Sequence, residues 1–525
     1  MRNVAEDDCW SDASATAPPG AVPRVIPRTS TRNMALAIMP RSAIIILILC
    51  CSACLDPTGV TEHPPSKSLL VLEENRKVGS PHWDSGLHSG ADTVISGYVL
   101  PLSVREGDTL NLFVNARAQS VFIEIYRLGW YNGDGARLLA RRTAKVVSRQ
   151  PACSAPRPGP MVCGWTPTLR LVVPSGWVPG VYLATFQDSV GYRRSFPFVV
   201  RSDSPARFVV VLPFATYQAY NDWGGTSLYG GPGSTARESY ANRAVKVSFA
   251  RPFGAAVVQD HFLGVDYLLV RWLEENAYDV NYITDYDFHR GVGADARAAA
   301  WLFAGHSEYW SWSMWRRANA ARAQGINLGF LGGNDIYWLV RFEEEQSNGF
   351  EVPVVVCYRD TSRDPFGNAP TLSTVRFRSP PNNTPENSLV GVMTVPATLV
   401  LNGPVDLVVA NGEDPLMANT GLVTGQHIPR VVGWEGDRII DNGQTPIGIR
   451  VLFESPYTPV GGSGATGLIQ ATAYVWPASG AIVYASGEPG FAWGLSTYAQ
   501  YTARRPIQIF LQDVLAAFVR ARTNP

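Results

Sequence analysis

The sequence predicts an α/β domain with a mainly parallel sheet, of the flavodoxin- or amidotransferase-like kind, with β insertions and a preceding immunoglobulin-like β-sandwich. Two observations support this prediction. Over residues 203–525, apolar runs of strand length alternate with segments of helical spacing, which indicates parallel strands joined by helices. Over residues 91–202, strand-like runs follow one another with turn residues between them, which is typical of a sandwich.

The charge composition argues against nucleic acid as a partner. The chain has 525 residues, enough for two or three domains, and its 44 basic residues balance 44 acidic residues. No electrostatic attraction to nucleic acid is therefore expected. The 15 Trp, 21 Tyr and 48 Gly residues indicate a globular protein rich in loops and aromatic side chains.

The N-terminal segment predicts export. Residues 34–54 have a short basic start, a compact apolar core and small residues before Cys54, which together resemble a bacterial lipoprotein signal. The apolar run is too short to span a bilayer as a helix, which favours cleavage over an uncleaved anchor. Residues 1–33 would not lead such a signal, so we interpret them as a non-native extension and place the start of translation at Met34.

The mature chain would begin at Cys54, with a lipid anchor in a membrane of the cell envelope. Residues 55–90 are expected to form a polar linker, and Leu55 gives no inner-membrane retention signal, which leaves the outer membrane open as the destination. In an exported chain, Cys153 and Cys163 are expected to pair across a Pro-rich loop. No clustered Cys/His spacing in the mature chain argues for zinc.

The strands of the predicted sandwich follow from short apolar runs. They are expected at residues 110–114, 121–126, 178–186 and 195–201. The last two resemble the closing strands of an immunoglobulin-like sandwich. Such a module is more often a structural or binding appendage than a catalyst.

The elements of the predicted α/β domain alternate along the chain. Buried strands are expected at residues 207–213, 278–285, 301–305, 325–334 and 481–487, with helices at 262–276, 318–324 and 506–522. Residues 345–480 are interpreted as an insertion of β character. Its strands are expected at residues 354–358, 429–435 and 469–475.

Glycine-rich turns follow or lie near the ends of several predicted strands. They are Tyr217–Tyr229, Gly305–Trp310, Gly332–Trp338 and Gly487–Trp493. Because parallel strands bring their carboxyl ends to one edge of a sheet, these turns are expected to converge. Convergence would collect tyrosines, a histidine, carboxylates and an asparagine at one site.

Individual residues in and near these turns also have structural alternatives. His306 can act as a base near neutral pH or can be a hydrogen-bonded structural histidine. Glu308 can bind a ligand or cap the following helix, and Asn334 can satisfy the turn backbone. Ser307 lacks the second glycine of the G-x-S-x-G pattern, which argues against a serine nucleophile. Cys357 lies in an apolar run and is expected to be a buried, unreactive thiol.

Ordered motifs carry a resemblance to a known family. They are Tyr126-Arg-Leu-Gly-Trp-Tyr-Asn-Gly-Asp-Gly-Ala-Arg137, Tyr217-Gln-Ala-Tyr-Asn221, Gly305-His-Ser-Glu-Tyr-Trp-Ser311, Gly332-Gly-Asn-Asp335 and Val432-Gly-Trp-Glu-Gly-Asp437. Together they resemble the large subunit of N,N-dimethylformamidase and its relatives, over roughly residues 90–520.

The resemblance implies one iron ion held by two tyrosines and one glutamate. By motif, Glu308 is the carboxylate ligand and Tyr229 the second tyrosine ligand. Tyr220 is the first tyrosine ligand, with Tyr217 as its rival. His306 would be the neighbouring acid or base. Phenolate and carboxylate oxygens are hard ligands that suit a hard ferric ion.

The resemblance also implies groups that act beside the iron. Asn334 would orient the substrate or a metal-bound water, Glu435 would be a further acidic group, and Arg359 would be a basic group where relatives can carry lysine. The formamidase works with a small partner subunit, so an oligomer or a small subunit is an open expectation here. The implied substrate is a small amide-like molecule.

The leading hypothesis is an exported, lipid-anchored, iron-dependent hydrolase of a carbon–nitrogen bond. The first alternative is a non-catalytic surface protein that binds a polymer or a protein partner. The second is glycan hydrolysis by Glu308 and Glu435 as paired carboxylates. Metal analysis distinguishes the first two hypotheses, and the separation of the two carboxylates tests the third.

Overall fold

The computed structural model describes most of the chain after the predicted export signal. It describes residues 66–89, 91–146, 149–154, 159–230, 243–394, 404–457 and 467–523. The predicted signal and the Cys54 anchor lie outside these ranges. Within the described residues, no helix is both long and apolar enough to cross a membrane.

The elements are numbered in chain order. The helices are α1 (Leu69–Asn75), α2 (Phe214–Tyr220), α3 (Tyr267–Glu275), α4 (Asp285–Arg290), α5 (Trp312–Ala323), α6 (Asn387–Val390) and α7 (Arg505–Thr523). The strands of the N-terminal part are β1 (Ile95–Leu100), β2 (Ser103–Val104), β3 (Thr109–Ala116), β4 (Ser120–Leu128), β5 (Ala136–Lys145), β6 (Leu169–Val172), β7 (Gly180–Asp188) and β8 (Arg193–Val200).

The remaining strands belong to the C-terminal part. They are β9 (Phe208–Leu212), β10 (Lys246–Ser248), β11 (Val280–Thr284), β12 (Ala300–Gly305), β13 (Tyr309–Ser311), β14 (Asn327–Gly332), β15 (Trp338–Ser347), β16 (Phe350–Val356), β17 (Met393–Thr394), β18 (Val405–Val408), β19 (His427–Val432), β20 (Asp437–Arg438), β21 (Arg450–Tyr457), β22 (Gly467–Val475) and β23 (Ile482–Ala485).

A seven-stranded sheet organises the C-terminal part, in the order β11-β9-β12-β14-β23-β22-β21. The pairs from β11 to β23 are parallel, whereas β22 and β21 are antiparallel to their neighbours. Strands β9, β12 and β14 are buried along their whole length, as their continuous apolar runs require. The sheet is therefore mixed, and its flavodoxin- or amidotransferase-like assignment stays a prediction.

Two strands of this sheet come from the region that was expected to be an insertion. β21 and β22 continue the sheet beyond β23, although the sequence pattern of residues 345–480 indicated a separate elaboration. β22 belongs to the sheet because it pairs with β23 in antiparallel fashion, and antiparallel neighbours need only a short turn between them. Part of the expected insertion therefore belongs to the main sheet.

The N-terminal part contains two sheets, β1-β3-β6 and β2-β8-β7-β4-β5. Their strand pairs are antiparallel except for β2 with β8. The sheets face each other, since a Cβ atom on Gly97 of β1 would lie 2.5 Å from the Phe186 ring of β7. The specific immunoglobulin-like topology stays a prediction.

A buried ion pair joins these sheets to the C-terminal part within the single unit His63–Pro525. The Nη2 atom of Arg127 in β4 lies 2.8 Å from Oε2 of Glu274 in α3, and their side chains are 0% and 2% exposed. Tyr131 accepts a hydrogen bond from Arg127 and donates one to Glu74. Because buried charges need partners, this network fixes α3 against the N-terminal sheets.

The helix expected at residues 262–276 has two parts of different geometry. Val257–Asp266 forms a π-helix, and α3 follows it directly. π-Helical turns are rare and occur frequently at functional sites. The wider turn changes which side chains share a face, and it brings His261 and Asp266 toward the end of β12.

The predictions for Cys153, Cys163 and Cys357 are confirmed. Cys153 and Cys163 form a disulfide, and Cys357 is a free, buried thiol. Burial raises the pKa of the Cys357 thiol, which is the opposite of what a nucleophile requires.

Candidate functional site

Two opposed glycines shape the edge of the sheet where the site lies. Gly305 ends β12 with a φ of +50°, and Gly332 ends β14 in register with it. A Cβ atom on Gly332 would lie 1.3 Å from the carbonyl oxygen of Gly305. Both positions therefore require glycine, and the chain leaves the sheet here with His306, Ser307 and Glu308.

Three side chains with acidic oxygens meet beside this turn. The Tyr220 hydroxyl, at the end of α2, donates to Oε2 of Glu308 at 3.0 Å. The Tyr229 hydroxyl lies 3.1 and 3.2 Å from the two carboxylate oxygens of Glu308. The two hydroxyl oxygens are 2.9 Å apart. The three residues implied as ligands by the resemblance are thus in mutual contact.

The surroundings of this cluster disfavour negative charge on it. Glu308 is only 2% exposed, and burial raises its pKa to about 7. Burial, together with the neighbouring charge of Glu308, raises the pKa of Tyr220 and Tyr229 well above the usual tyrosine value. A bound cation would reverse this effect, because it stabilises the deprotonated oxygens.

His306 lies between two carboxylates. Its Nε2 atom is 3.0 Å from Oε2 of Glu435 and 3.5 Å from Oε2 of Glu308. Neither contact is aligned as a hydrogen bond. Burial would lower the pKa of His306, but the negative charges of Glu435 and Glu308 raise it to about 9. The imidazole is therefore placed to hold a proton beside the cluster.

Asn334 is the neighbour of Glu435. Its Nδ2 atom donates to Oε2 of Glu435 at 2.5 Å, and its backbone nitrogen donates to the Asp437 carboxylate at 3.0 Å. Its φ of +53° is one that asparagine tolerates better than most residues. The Oδ1 atom is buried and has no hydrogen-bond partner among the described residues. That oxygen can accept an N–H or O–H group from a bound molecule.

Arg359 reaches the cluster through Tyr309. The guanidinium donates to the Tyr309 hydroxyl, which donates to the Tyr229 hydroxyl at 2.7 Å. The guanidinium carbon also lies 4.3 Å from the centroid of the Tyr229 ring. The positive charge of Arg359 contacts Tyr229 and also opposes the rise in the pKa of Glu308.

Two alternatives considered from sequence have other contacts. The Tyr217 hydroxyl donates to Asp266 and does not reach Glu308. The Ser307 hydroxyl accepts a hydrogen bond from Nε1 of Trp310 at 2.9 Å. The geometry thus brings Tyr220, and not Tyr217, to the cluster, and it gives Ser307 a structural hydrogen bond.

Two residues at the site were missed from sequence. The His261 ring lies 4.7 Å from Tyr220 and nearly parallel to His306 at 6.1 Å between ring centroids. Nothing in the sequence pattern indicates the π-helix that carries His261. Tyr309 had a signal, because it directly follows Glu308 in the motif and offers a hydroxyl group.

The donor set at the site differs from the commonest metal centres. In the described part of the chain, no group of three or more His, Cys, Asp and Glu side chains is placed to hold a metal ion. Any metal site built from this cluster would depend on the phenol oxygens of Tyr220 and Tyr229.

Solved structures with partial similarity to this chain include an uncharacterized protein from Bacillus anthracis str. Ames, at 13% identity and a TM-score of 0.14. That match covers 19% of this chain and 78% of the other. Another is a cycloisomaltooligosaccharide glucanotransferase of Paenibacillus sp. complexed with cycloisomaltoheptaose, at 12% identity and a TM-score of 0.14. That match covers 51% of this chain and 34% of the other. Neither supports an argument about this protein.

The family comparison is more informative. A search of curated proteins gave no match. The family described as "N,N-dimethylformamidase beta subunit-like, C-terminal" matches residues 122–503, which include every residue of the cluster and extend into the N-terminal sheets. The match agrees with the resemblance carried by the sequence motifs. This chain belongs to the N,N-dimethylformamidase beta subunit-like family.

Proposed function

We propose that this protein hydrolyses a carbon–nitrogen bond of the amide type and that Tyr220, Tyr229 and Glu308 hold one iron ion. The contact between these three side chains is the observation that supports the proposal most. Acidic oxygens 2.9 to 3.2 Å apart are costly to bury in charged form unless a cation neutralises them.

The donor set fits a ferric ion in type, number and spacing. The oxygens of the three side chains lie 2.9 to 3.2 Å from one another, so one cation can contact all three side chains. Two phenolates and one carboxylate carry three negative charges, which balance the charge of a ferric ion, and oxygen ligands suit its hardness.

The protein's own residues supply proton transfer and positioning. When bound, a ferric ion would supply Lewis acidity toward an amide carbonyl and toward water. In its neutral form, His306 can take a proton as water adds to the carbonyl carbon, and Glu435 lies 3.0 Å away to stabilise the imidazolium. His306 can return the proton to nitrogen as the carbon–nitrogen bond breaks, which yields an acid and an amine. The unpartnered Oδ1 of Asn334 can orient the substrate.

Metal analysis of the purified full-length protein tests the proposal. We expect one tightly bound iron ion per chain and its loss in Glu308→Ala, Tyr220→Phe and Tyr229→Phe. Tyr217→Phe is the matched control, because its hydroxyl donates to Asp266 and lies outside the cluster. Amine release from N,N-dimethylformamide and from longer amides measures the activity in parallel.

The same experiment separates the alternatives. A folded protein that binds no iron would overturn the metal site and would favour a non-catalytic surface protein. Release of reducing sugar from glycans, lost in both Glu308→Gln and Glu435→Gln, would favour paired-carboxylate glycan hydrolysis.

A further inference from the structure

A cleft of about 300 Å³ beside the candidate site has no part in the proposed chemistry. Side chains that line it include Arg430, Trp434, Trp493, Tyr501 and Arg504. Its volume is at the lower end of the range for pockets that bind small molecules. It could hold one ring with its substituents.

Trp434 lies between this cleft and the cluster of Tyr220, Tyr229 and Glu308. Its ring lines the cleft and lies 5.1 Å, between centroids, from the His261 ring, which in turn lies 4.7 Å from Tyr220. The next residue in the chain is Glu435, which contacts His306. A molecule in the cleft would therefore be separated from the cluster by little more than one or two rings.

The turn that carries Trp434 is held in an unfavourable conformation. Trp434 has a φ of +73°, in the left-handed region where a bulky residue is rare. Such a conformation costs on the order of 1–3 kcal/mol and persists where the surroundings enforce it, often at ligand sites. Here Gly433 packs so closely on Trp493 that an added Cβ would lie 2.4 Å from that ring. This contact helps to fix the turn.

The charge of the cleft is positive. Arg430 and Arg504 line it, and none of its described lining residues is acidic. The Nε atom of Arg504 is buried and lacks a hydrogen-bond partner. Helix α7 begins at the residue after Arg504, so the positive end of the helix dipole adds to this field.

The remaining walls are aromatic. Trp493 and Tyr501 are stacked with their ring centroids 5.3 Å apart, and Trp434 adds a third ring. Aromatic faces favour a flat, apolar group, and guanidinium groups favour a carboxylate. Together, the aromatic and guanidinium groups of the cleft favour a ligand with a flat ring that carries a carboxylate.

We propose that this cleft binds a planar molecule that carries a carboxylate, at a place separate from the cluster of Tyr220, Tyr229 and Glu308. This inference goes beyond the proposed amide hydrolysis. It assigns to Arg504 the recognition of the carboxylate and to Trp434 and Trp493 the contact with the ring.

Binding of two matched probes to the full-length protein tests the inference. The probes are 4-formamidobenzoate and 4-formamidobenzamide, which have the same shape and differ in charge. Titration calorimetry should show that 4-formamidobenzoate binds at least about tenfold more tightly than 4-formamidobenzamide. Added salt should weaken the binding of the acid alone, because its attraction to the cleft is between charges. Equal affinity of the two probes, or equal salt dependence, would overturn the proposal.

A pair of variants locates the effect. Arg504→Gln should abolish the preference for the acid, whereas Arg505→Gln should retain it. The two changes remove the same charge at adjacent positions, but Arg505 is exposed and does not line the cleft. Equal effects of the two variants would contradict the assignment of Arg504.

Formate release measured on the same samples separates this inference from the proposed function. Charge-selective binding would support the cleft whether or not formate is released. Hydrolysis of both probes with equal efficiency and equal affinity would support the hydrolysis and contradict the cleft.

Discussion

The Tyr309 hydroxyl donates a hydrogen bond to Tyr229 and accepts one from Arg359. Tyr309 does not touch Glu308 through its hydroxyl, so its role is to tune Tyr229 rather than to complete the cluster. Because a donor withdraws electron density from a phenolate, Tyr309 would stabilise Tyr229 in its charged form.

On the basis of the proposed iron site, we predict that Tyr309→Phe retains iron but shifts the visible phenolate-to-iron absorption band to longer wavelength. Loss of the donor raises the energy of the phenolate electrons, and loss of one hydrogen bond corresponds to about 0.5–1.5 kcal/mol. The absorption spectrum of the purified variant is the measurement. Tyr217→Phe is the control and should leave the band in place. An unchanged band in Tyr309→Phe would contradict the role assigned to Tyr309.

At the residue scale, sequence motifs identified side chains that the structure brings together. Glu308 and His306 stand in one turn, so their proximity follows from the sequence alone. The sequence alone could not decide between Tyr220 and Tyr217, because that choice depends on which side of α2 faces the turn. His261 could not be predicted, since its position depends on the π-helix.

At the scale of elements, the register of β12 and β14 decides whether the site can form. Gly305 and Gly332 are partners in this pair, and the space between them admits no side chain. The glycine run after β14 was predicted as a turn, but the direct contact of the two glycines required the structure.

We predict that Gly332→Ala destabilises the fold by at least about 3 kcal/mol, because the new methyl group collides with backbone that cannot move aside. Urea unfolding followed by fluorescence measures the change. Gly164→Ala is the control, since a Cβ atom there meets nothing within 4 Å. Similar stability of the two variants would show that the strand register is not as described.

The disulfide stabilises an element of a different kind, a loop in the N-terminal part. It joins residues separated by 10 positions, and closing a loop of this size contributes about 2–3 kcal/mol. We predict a loss of this size in the Cys153→Ser, Cys163→Ser double variant. Reductant should destabilise the wild-type protein by a similar amount and leave the double variant unchanged in urea unfolding. A reductant effect on the double variant would point to another cause.

The strands of the main sheet were predictable because they are continuous apolar runs. β9, β11, β12, β14 and β23 all fall within their expected ranges or differ by one residue at an end. The place of β21 and β22 in the sheet was not predictable, because strand pairing depends on contacts distant in sequence. Local pattern thus identified strands better than it identified their neighbours.

At the scale of the whole molecule, the N-terminal sheets and the C-terminal part share buried charges. We predict that Arg127→Met costs about 3–5 kcal/mol, because Glu274 would remain buried without its partner. The double variant Arg127→Met, Glu274→Gln should recover part of this loss. Urea unfolding of the wild-type protein, both single variants and the double variant gives the coupling. Additive losses would show that the ion pair contributes nothing of its own.

The position of β23 also determines the order in which the molecule can be assembled. β23 pairs with β14 through Leu328 and Val483, which are far apart in sequence, and it lies between β14 and β22. A nascent chain that has emerged from the ribosome only as far as Glu435 already contains every residue of the candidate site. Its sheet still has an open edge at β14, however, and pairing over long sequence separations is slow. The cluster therefore reaches its final support late in synthesis, and a chain that stalls before β23 exposes an unpaired apolar strand.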